Sequence, residues 1–268
     1  MVPQALVQLS DLHIVPQGQL AYGRVDTAAF LQRAIAAVGA LPQRPDAVVI
    51  TGDLTDLGTA AEYARLRELL RPLAVPTYLM MGNHDDRAAL RAQFPDHAYL
   101  GTSGFVQYAV DIGALRLIAL DSIVAGASHG ELCGERLQWL DRQLAQSAGR
   151  PVVIAMHHPP FPTLIGHMDH IGLQHGAAEM AAIVARYPNV ERVIAGHLHR
   201  PIEARFGGTF ASTAPSPAHQ VLLDFDDAAP ARLAFEPPAF RLHAWTPASG
   251  LISHLVPIGP FEGPFRFH

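Results

Sequence analysis

Over the first two hundred residues, short apolar runs alternate with amphipathic stretches. The runs at 4–10, 46–51, 76–81, 115–120, 151–156 and 191–195 are brief and rich in Val, Ile and Leu, the pattern of strands buried on both faces. Between them, 27–41, 59–72, 134–147 and 176–187 place apolar residues at helical spacing, as helices packed on a sheet require. Thr59-Ala-Ala-Glu62 has the form of a capping box and sets the start of the second helix. This alternation predicts an α/β fold, a largely parallel sheet with helices on both faces. After residue 200 the helical period disappears and ten prolines fall between Pro201 and Pro264. Strand-like pieces remain at 209–213, 219–225, 241–245 and 251–257. The expected organisation is a catalytic core over 1–200. Residues 201–268 are expected to supply the remaining core strands and a β-rich cap or oligomerisation segment.

Composition narrows the function. A chain of 268 residues that is 49% hydrophobic can bury a sizeable core, which rules out a disordered class. Its net charge is −5 and it has no basic run, which argues against a nucleic-acid polymer as partner. The single cysteine, Cys133, has no intramolecular disulfide partner. No apolar run reaches the roughly 18 residues of a membrane span. The opening MVPQALVQLSDLH lacks the charged and apolar regions of a signal peptide. The expectation is a cytoplasmic protein with no membrane partner. Histidine is unusually frequent, at 15 residues.

Many of these histidines stand where strands end. The first apolar run leads into Asp11-Leu12-His13, the second into Gly52-Asp53, and the third into Gly82-Asn83-His84-Asp85. The run at 151–156 leads into His157-His158-Pro159-Pro160, and that at 191–195 into Gly196-His197-Leu198-His199. In an open parallel sheet the crevice beyond the carboxyl ends of the strands binds ligands, so these distant residues can meet there. Imidazole nitrogens mixed with carboxylate and amide oxygens suit Mn, Fe, Zn or Co, and no thiolate set is available for a structural zinc. So many donors are better balanced by two cations sharing a carboxylate than by one. Such pairs lie roughly 3.5–4 Å apart and turn a bound water into a nucleophile. Glycines at 52, 82 and 196 allow the sharp turns and close approach this site needs.

These five blocks, in this order and spacing, resemble the signature of calcineurin-like metallophosphoesterases. His167-Met168-Asp169 and His219-Gln220-Val221 further resemble the branch of glycerophosphodiesterases and class III cyclic-nucleotide phosphodiesterases. The resemblance implies a four-layer α/β/β/α sandwich with mixed, largely parallel sheets and a C-terminal β-rich cap. It implies that Asp11, His13, Asp53 and His199 hold one divalent or mixed-valence transition metal ion. Asp53, Asn83, His157 and His197 would hold a second, with Asp53 bridging. His157 rather than His158 is taken as the ligand because it lies two residues before a proline, with a shift of one residue left open. His84 would face the phosphate and act in catalysis with Asp53 and Asn83, while His219 and His158 would join His84 as substrate contacts. The implied activity is hydrolysis of a small phosphodiester, a cyclic nucleotide or a glycerophosphodiester, by metal-activated hydroxide. A phosphomonoesterase on the same site is the alternative, and a non-catalytic scaffold of the same fold is the competing class. The resembling branch also implies a homo-oligomer, a dimer or larger.

Other polar residues have plainer readings. Asp56 is expected to cap its turn and Asp85 to orient a ligand imidazole. His167, His170 and His175 are expected to be mostly solvated, with 167–170 also a candidate for substrate contact. His97, His129, His243, His254 and His268 are assigned no role. Cys133 is expected to pack at a helix start, and Asp121-Ser122 to form a buried turn.

Overall fold

The computed structural model describes residues 2–147 and 149–267, so His268 lies outside the described residues. The chain begins with β1 (Gln4–Leu9), α1 (Thr27–Gly39), β2 (Ala47–Ile50), α2 (Ala60–Leu70), β3 (Thr77–Leu79) and α3 (Arg87–Gln93). A short 3₁₀ turn leads to β4 (Tyr108–Ile112), β5 (Leu115–Ala119), β6 (Gly130–Glu131), α4 (Gly134–Gln146) and β7 (Val152–Ala155). Next come α5 (Gly166–Asp169), β8 (Leu173–His175), α6 (Ala177–Val184) and β9 (Val190–Ala195). The rest is strand: β10 (Glu203–Phe206), β11 (Thr209–Thr213), β12 (Gln220–Val221), β13 (Leu233–Ala234), β14 (Ala239–Thr246) and β15 (Gly250–Pro257). The capping box at α2 forms in full: Thr59 Oγ1 accepts from the Glu62 amide, and Glu62 Oε2 accepts from the Thr59 amide.

The single sheet read from periodicity is two, as the four-layer sandwich implied by the resemblance requires. One runs β15-β14-β1-β2-β3 and the other β10-β11-β9-β7-β5-β4. Strands β1, β2 and β3 are mutually parallel, as are β11, β9, β7 and β5. β14, β15, β10 and β4 are added antiparallel. Strand-helix alternation reads the same whether the chain continues one sheet or crosses to a second, so periodicity could not reveal the crossing. It falls after β3, through the short α3 and the edge strand β4, neither of which has a pattern long enough to detect.

Three apolar layers hold the sandwich together. Leu31, Ile35, Tyr63, Leu66 and Leu90 on α1–α3 pack on the outer face of the first sheet. Leu140, Leu144, Met180 and Val184 on α4 and α6 cover the second. Leu6, Val49, Met80, Leu117, Val153 and Ile194 fill the space between the sheets. β2 and β7 are therefore buried along their whole length, which is why they appear as unbroken apolar runs rather than alternating ones.

After residue 200 most of the chain completes these sheets. β10 and β11 extend the second, and β14 and β15 extend the first. The stretch 219–225 contributes only Gln220–Val221, paired with Leu233–Ala234. Among the described residues no helix is long and apolar enough to cross a membrane.

Candidate metal centre

The chain turns sharply where each ligand-bearing strand ends. Asp11, His13, Asp53, His197 and His199 all have left-handed backbone, with φ of 55°, 45°, 47°, 70° and 53°. Non-glycine residues seldom adopt this conformation, which costs of order 1–3 kcal/mol each and recurs at functional sites. Two backbone bonds lock the first two turns together: the Asp11 amide donates to the Gly52 carbonyl (3.0 Å) and the His13 amide to the Asp53 carbonyl (2.9 Å). Gly52 is required here. Its φ is 93°, and a Cβ on it would lie 2.5 Å from His157 Nδ1.

Two sheets supply the donors. Asp11, His13, Asp53 and Asn83 follow β1, β2 and β3, whereas His157, His197 and His199 follow β7 and β9. Asp11, His13, Asp53 and His199 present ligand atoms within 4.8 Å of one another and are all buried. Asn83 Oδ1 lies 3.0 Å from His157 Nε2 and 3.1 Å from His197 Nδ1. Asp53 Oδ2 stands between the two sets, 3.5 Å from His13 Nε2 and 3.4 Å from His157 Nε2.

The hydrogen bonds of these rings fix which nitrogen faces the centre. His13 Nδ1 donates to Asp56 Oδ1 (3.2 Å), His199 Nδ1 to the His219 carbonyl (3.1 Å), and His157 Nδ1 to the Thr51 carbonyl (2.8 Å). With Nδ1 committed, each ring turns Nε2 inward, the nitrogen that a metal-binding histidine offers. His13 Nε2 and His199 Nε2 come within 3.2 Å of each other. Asp11 Oδ2 and His197 Nε2 are buried with no hydrogen-bond partner among the described residues. Buried polar atoms without partners are costly, and cations between these donors would satisfy most of them. The residues fit a pair of transition metal ions.

Protonation follows the same crowding. Burial, with Asp53 nearby, pushes the Asp11 carboxyl up to about 6. Burial acts upward on Asp53 too, but His157, His84 and His13 hold it well below the usual carboxylate range. Although burial acts downward on His157, the Asp53 carboxylate holds it up to about 9. The Asp53–His157 pair thus holds a proton that a bound cation would displace.

The two neighbouring aspartates exchange the roles expected of them. Asp56 orients the His13 imidazole. Asp85 touches no ligand imidazole; it accepts from the amides of Gly82, Leu54 and Thr55 and from the Tyr63 hydroxyl, tying the Asn83 turn to the Asp53 turn. Sequence spacing alone cannot tell which of two adjacent carboxylates points at a ring.

A cleft of about 320 Å³ opens over the donors, and His84, His219 and His167 all line it. His84 Nδ1 donates to the Asp56 carbonyl (2.7 Å), and the His84 amide donates to Asp53 Oδ1 (3.0 Å). The His219 ring lies 4.6 Å from that of His199. His158 is fully buried beside His157 and His197, its ring 4.6 Å from that of His197 and a ligand atom within 4.8 Å of theirs, but Nδ1 accepts from Ser122 Oγ (2.8 Å) and Nε2 donates to the Ser128 carbonyl (3.1 Å). It is not on the cleft wall, so the substrate contact expected of it is not made from this position. His170 and His175 are also off the wall, and Cys133 sits at the N-terminal cap of α4. Sequence reasoning missed Tyr22 and Arg232, both of which line the cleft. Tyr22 carries a left-handed φ of 51° and packs edge-on against His219. Neither lies in a motif or at the end of a predicted strand, so the sequence carried no signal for them.

The family profile described as "Calcineurin-like phosphoesterase" matches residues 5–201. A protein of Arcobacter nitrofigilis named "probable glycerophosphodiester phosphodiesterase GpdQ" is 38% identical over 263 residues, covering 98% of this chain and 96% of its own. The "3',5'-cyclic adenosine monophosphate phosphodiesterase CpdA" of Pseudomonas aeruginosa is 32% identical over 238 residues, covering 89% and 85%. Among solved structures, a dimetal phosphatase from Danio rerio superposes with a TM-score of 0.66 at 16% identity, over 97% of this chain and all of its own. That last likeness shows the fold.

Proposed function

The chain belongs to the calcineurin-like phosphoesterase family, and on that premise we propose that it is a dinuclear metal-dependent phosphodiesterase acting on small phosphodiesters. The observation that carries the reading is the position of Asp53 Oδ2, within 3.5 Å of an inward-facing imidazole nitrogen from each donor set. Asp11, His13, Asp53 and His199 would hold one ion, and Asp53, Asn83, His157 and His197 the other. When bound, such a pair supplies an acidified water and neutralises charge on the phosphoryl oxygens.

The protein's own groups position the substrate and manage protons. His84 directs its free Nε2 into the cleft, because Nδ1 is committed to the Asp56 carbonyl. As an imidazolium it donates from Nε2 to a phosphoryl oxygen or to the departing alkoxide, a role in general acid catalysis. Its amide is held by Asp53, so the proton donor is fixed relative to the bridging ligand. His219, Tyr22, His167 and Arg232 add polar groups to the cleft, while Met168, Ile171, Val221 and Leu233 add apolar ones. A cleft that combines ionic and apolar groups suits a phosphate carrying an organic alcohol on each ester arm. The names of the relatives point to glycerophosphodiesters and cyclic nucleotides as the substrate classes. Mn, Fe, Zn and Co are the metals that fit the mixed donor set. We further propose a cytoplasmic setting and a homo-oligomer. Exposed Phe261, Phe265 and Phe267 of the tail support self-association.

Hydrolysis of bis(p-nitrophenyl) phosphate and p-nitrophenyl phosphate by protein reconstituted with each metal separately tests the reading. Diester turnover that depends on metal is expected. Turnover of the monoester alone would replace the proposal with a phosphomonoesterase.

A further inference from the structure

Each metal site takes donors from both sheets, Asp11, His13, Asp53 and Asn83 from the first and His157, His197 and His199 from the second, so closing either site depends on the distance between sheets. Metal-ligand bonds tolerate deviations of roughly 0.2 Å, whereas an apolar layer between sheets attracts without direction. Something directional must set the spacing. Gln8 lies in that layer beside Leu6 and Val49, fully buried. Its Nε2 donates to Thr51 Oγ1 (3.0 Å) and to the Ala195 carbonyl (2.9 Å). Gln8 is three residues before Asp11, Thr51 two before Asp53, and Ala195 two before His197. One amide nitrogen therefore ties together the bases of three ligand-bearing turns, two in the first sheet and one in the second.

The amide itself is held in place. Its Oε1 accepts from His243 Nε2 (3.1 Å), and His243 Nδ1 accepts from Ser253 Oγ (2.7 Å). Thr51 continues the chain, since its hydroxyl donates to Ser10 Oγ (2.7 Å) and its carbonyl orients His157. Gln8, Ser10, Thr51 and His243 are all fully buried. Beside them Trp245 Nε1 reaches Glu191 and Arg241 Nε reaches the Thr213 carbonyl, so β14 also crosses to the second sheet on either side. An apolar residue would fill the Gln8 position without the desolvation cost of an amide. A satisfied buried polar network offers directional register instead.

We propose that Gln8 is a positioning residue that sets the separation between the donors carried by the two sheets, and with it the capacity of the site for two metals. This rests on the two-metal reading above. The experiment compares wild-type protein with Gln8→Met, an apolar residue of similar shape, and with Thr51→Val, which removes the acceptor on the first sheet together with the hydroxyl's bond to Ser10. Metal binding is followed by competition with a chromophoric chelator, unfolding by thermal melts of metal-free and metal-loaded protein, and turnover by kcat and KM on bis(p-nitrophenyl) phosphate. The expected result is a loss of about tenfold or more in metal affinity, with kcat lowered, KM little changed, and a smaller rise in Tm on metal loading. A merely structural role would lower both melts equally and leave metal affinity unchanged; that result in whichever variant folds overturns the proposal. Wild-type protein that takes up fewer than two metals would instead overturn the underlying two-metal reading.

Discussion

Asp56 accepts the Nδ1 proton of His13 at 3.2 Å and so determines that His13 offers Nε2 to the centre. Burial would raise the Asp56 carboxyl, but its hydrogen bond to His13 holds it below the usual range, keeping it an acceptor. Removing it frees the ring to rotate or change tautomer. Asp56→Ala is expected to weaken metal binding by about 10–100-fold while the fold survives, since the Asp56 carbonyl that holds His84 is retained. Chelator competition checks this, and unaltered affinity would show that the ring is oriented by something else.

His84 touches the bridging ligand only through its backbone amide. His84→Ala should therefore leave metal content intact and lower kcat by about a hundredfold. The loss should be greatest for diesters with poor leaving groups, where protonation of the departing oxygen matters most. Equal losses for good and poor leaving groups would assign His84 to charge stabilisation instead. Loss of metal with no other defect would remove it from catalysis.

The His219 side chain belongs to the cleft, whereas its carbonyl belongs to the metal centre through His199 Nδ1. His219→Ala deletes only the first. KM for bis(p-nitrophenyl) phosphate is expected to rise about tenfold, the scale of one lost hydrogen bond to a charged group, with metal affinity unchanged. Steady-state kinetics beside a metal titration separates the two roles.

His243 gives a pH signature of folding that does not involve the metals. Burial, with Arg241 and Arg192 nearby, lowers it from 6.5 to about 3. Above pH 6.5 it is neutral whether folded or unfolded. As pH falls from 6.5 towards 3 the unfolded chain takes up a proton that the folded chain refuses, so stability is lost across that window. His243→Gln, which keeps a donor and an acceptor, should flatten this part of the Tm-against-pH curve measured on metal-free protein. Parallel curves for the two proteins would mean that His243 titrates alike in both states.

Much of the fold and nearly all of the candidate donors were legible in the sequence. The central strands lie buried on both faces, so their apolar runs stand out, and the donors follow those runs directly. The edge strand β4 and the seven-residue α3 are too short or too polar for their period to register, so the crossing to a second sheet was hidden from the pattern and came from the resemblance alone. Asp56 reaches the His13 ring whereas Asp85 is taken up by the amides of Leu54, Thr55 and Gly82, a difference that spacing does not record. Gln8 looked like one polar residue in a strand. Only the packing of the two sheets shows it reaching Ala195.

The central claim is that residues from two sheets gather two cations around Asp53. Metal content per chain, measured by elemental analysis after saturation and removal of loosely held ions, tests it most directly when wild-type protein is set beside Asp53→Ala. Two ions per chain in the wild type, and a loss of both sites together with diester hydrolysis in the variant, is the predicted result. One ion or none in an active wild type, or a variant that keeps its metals and its rate, would contradict the account.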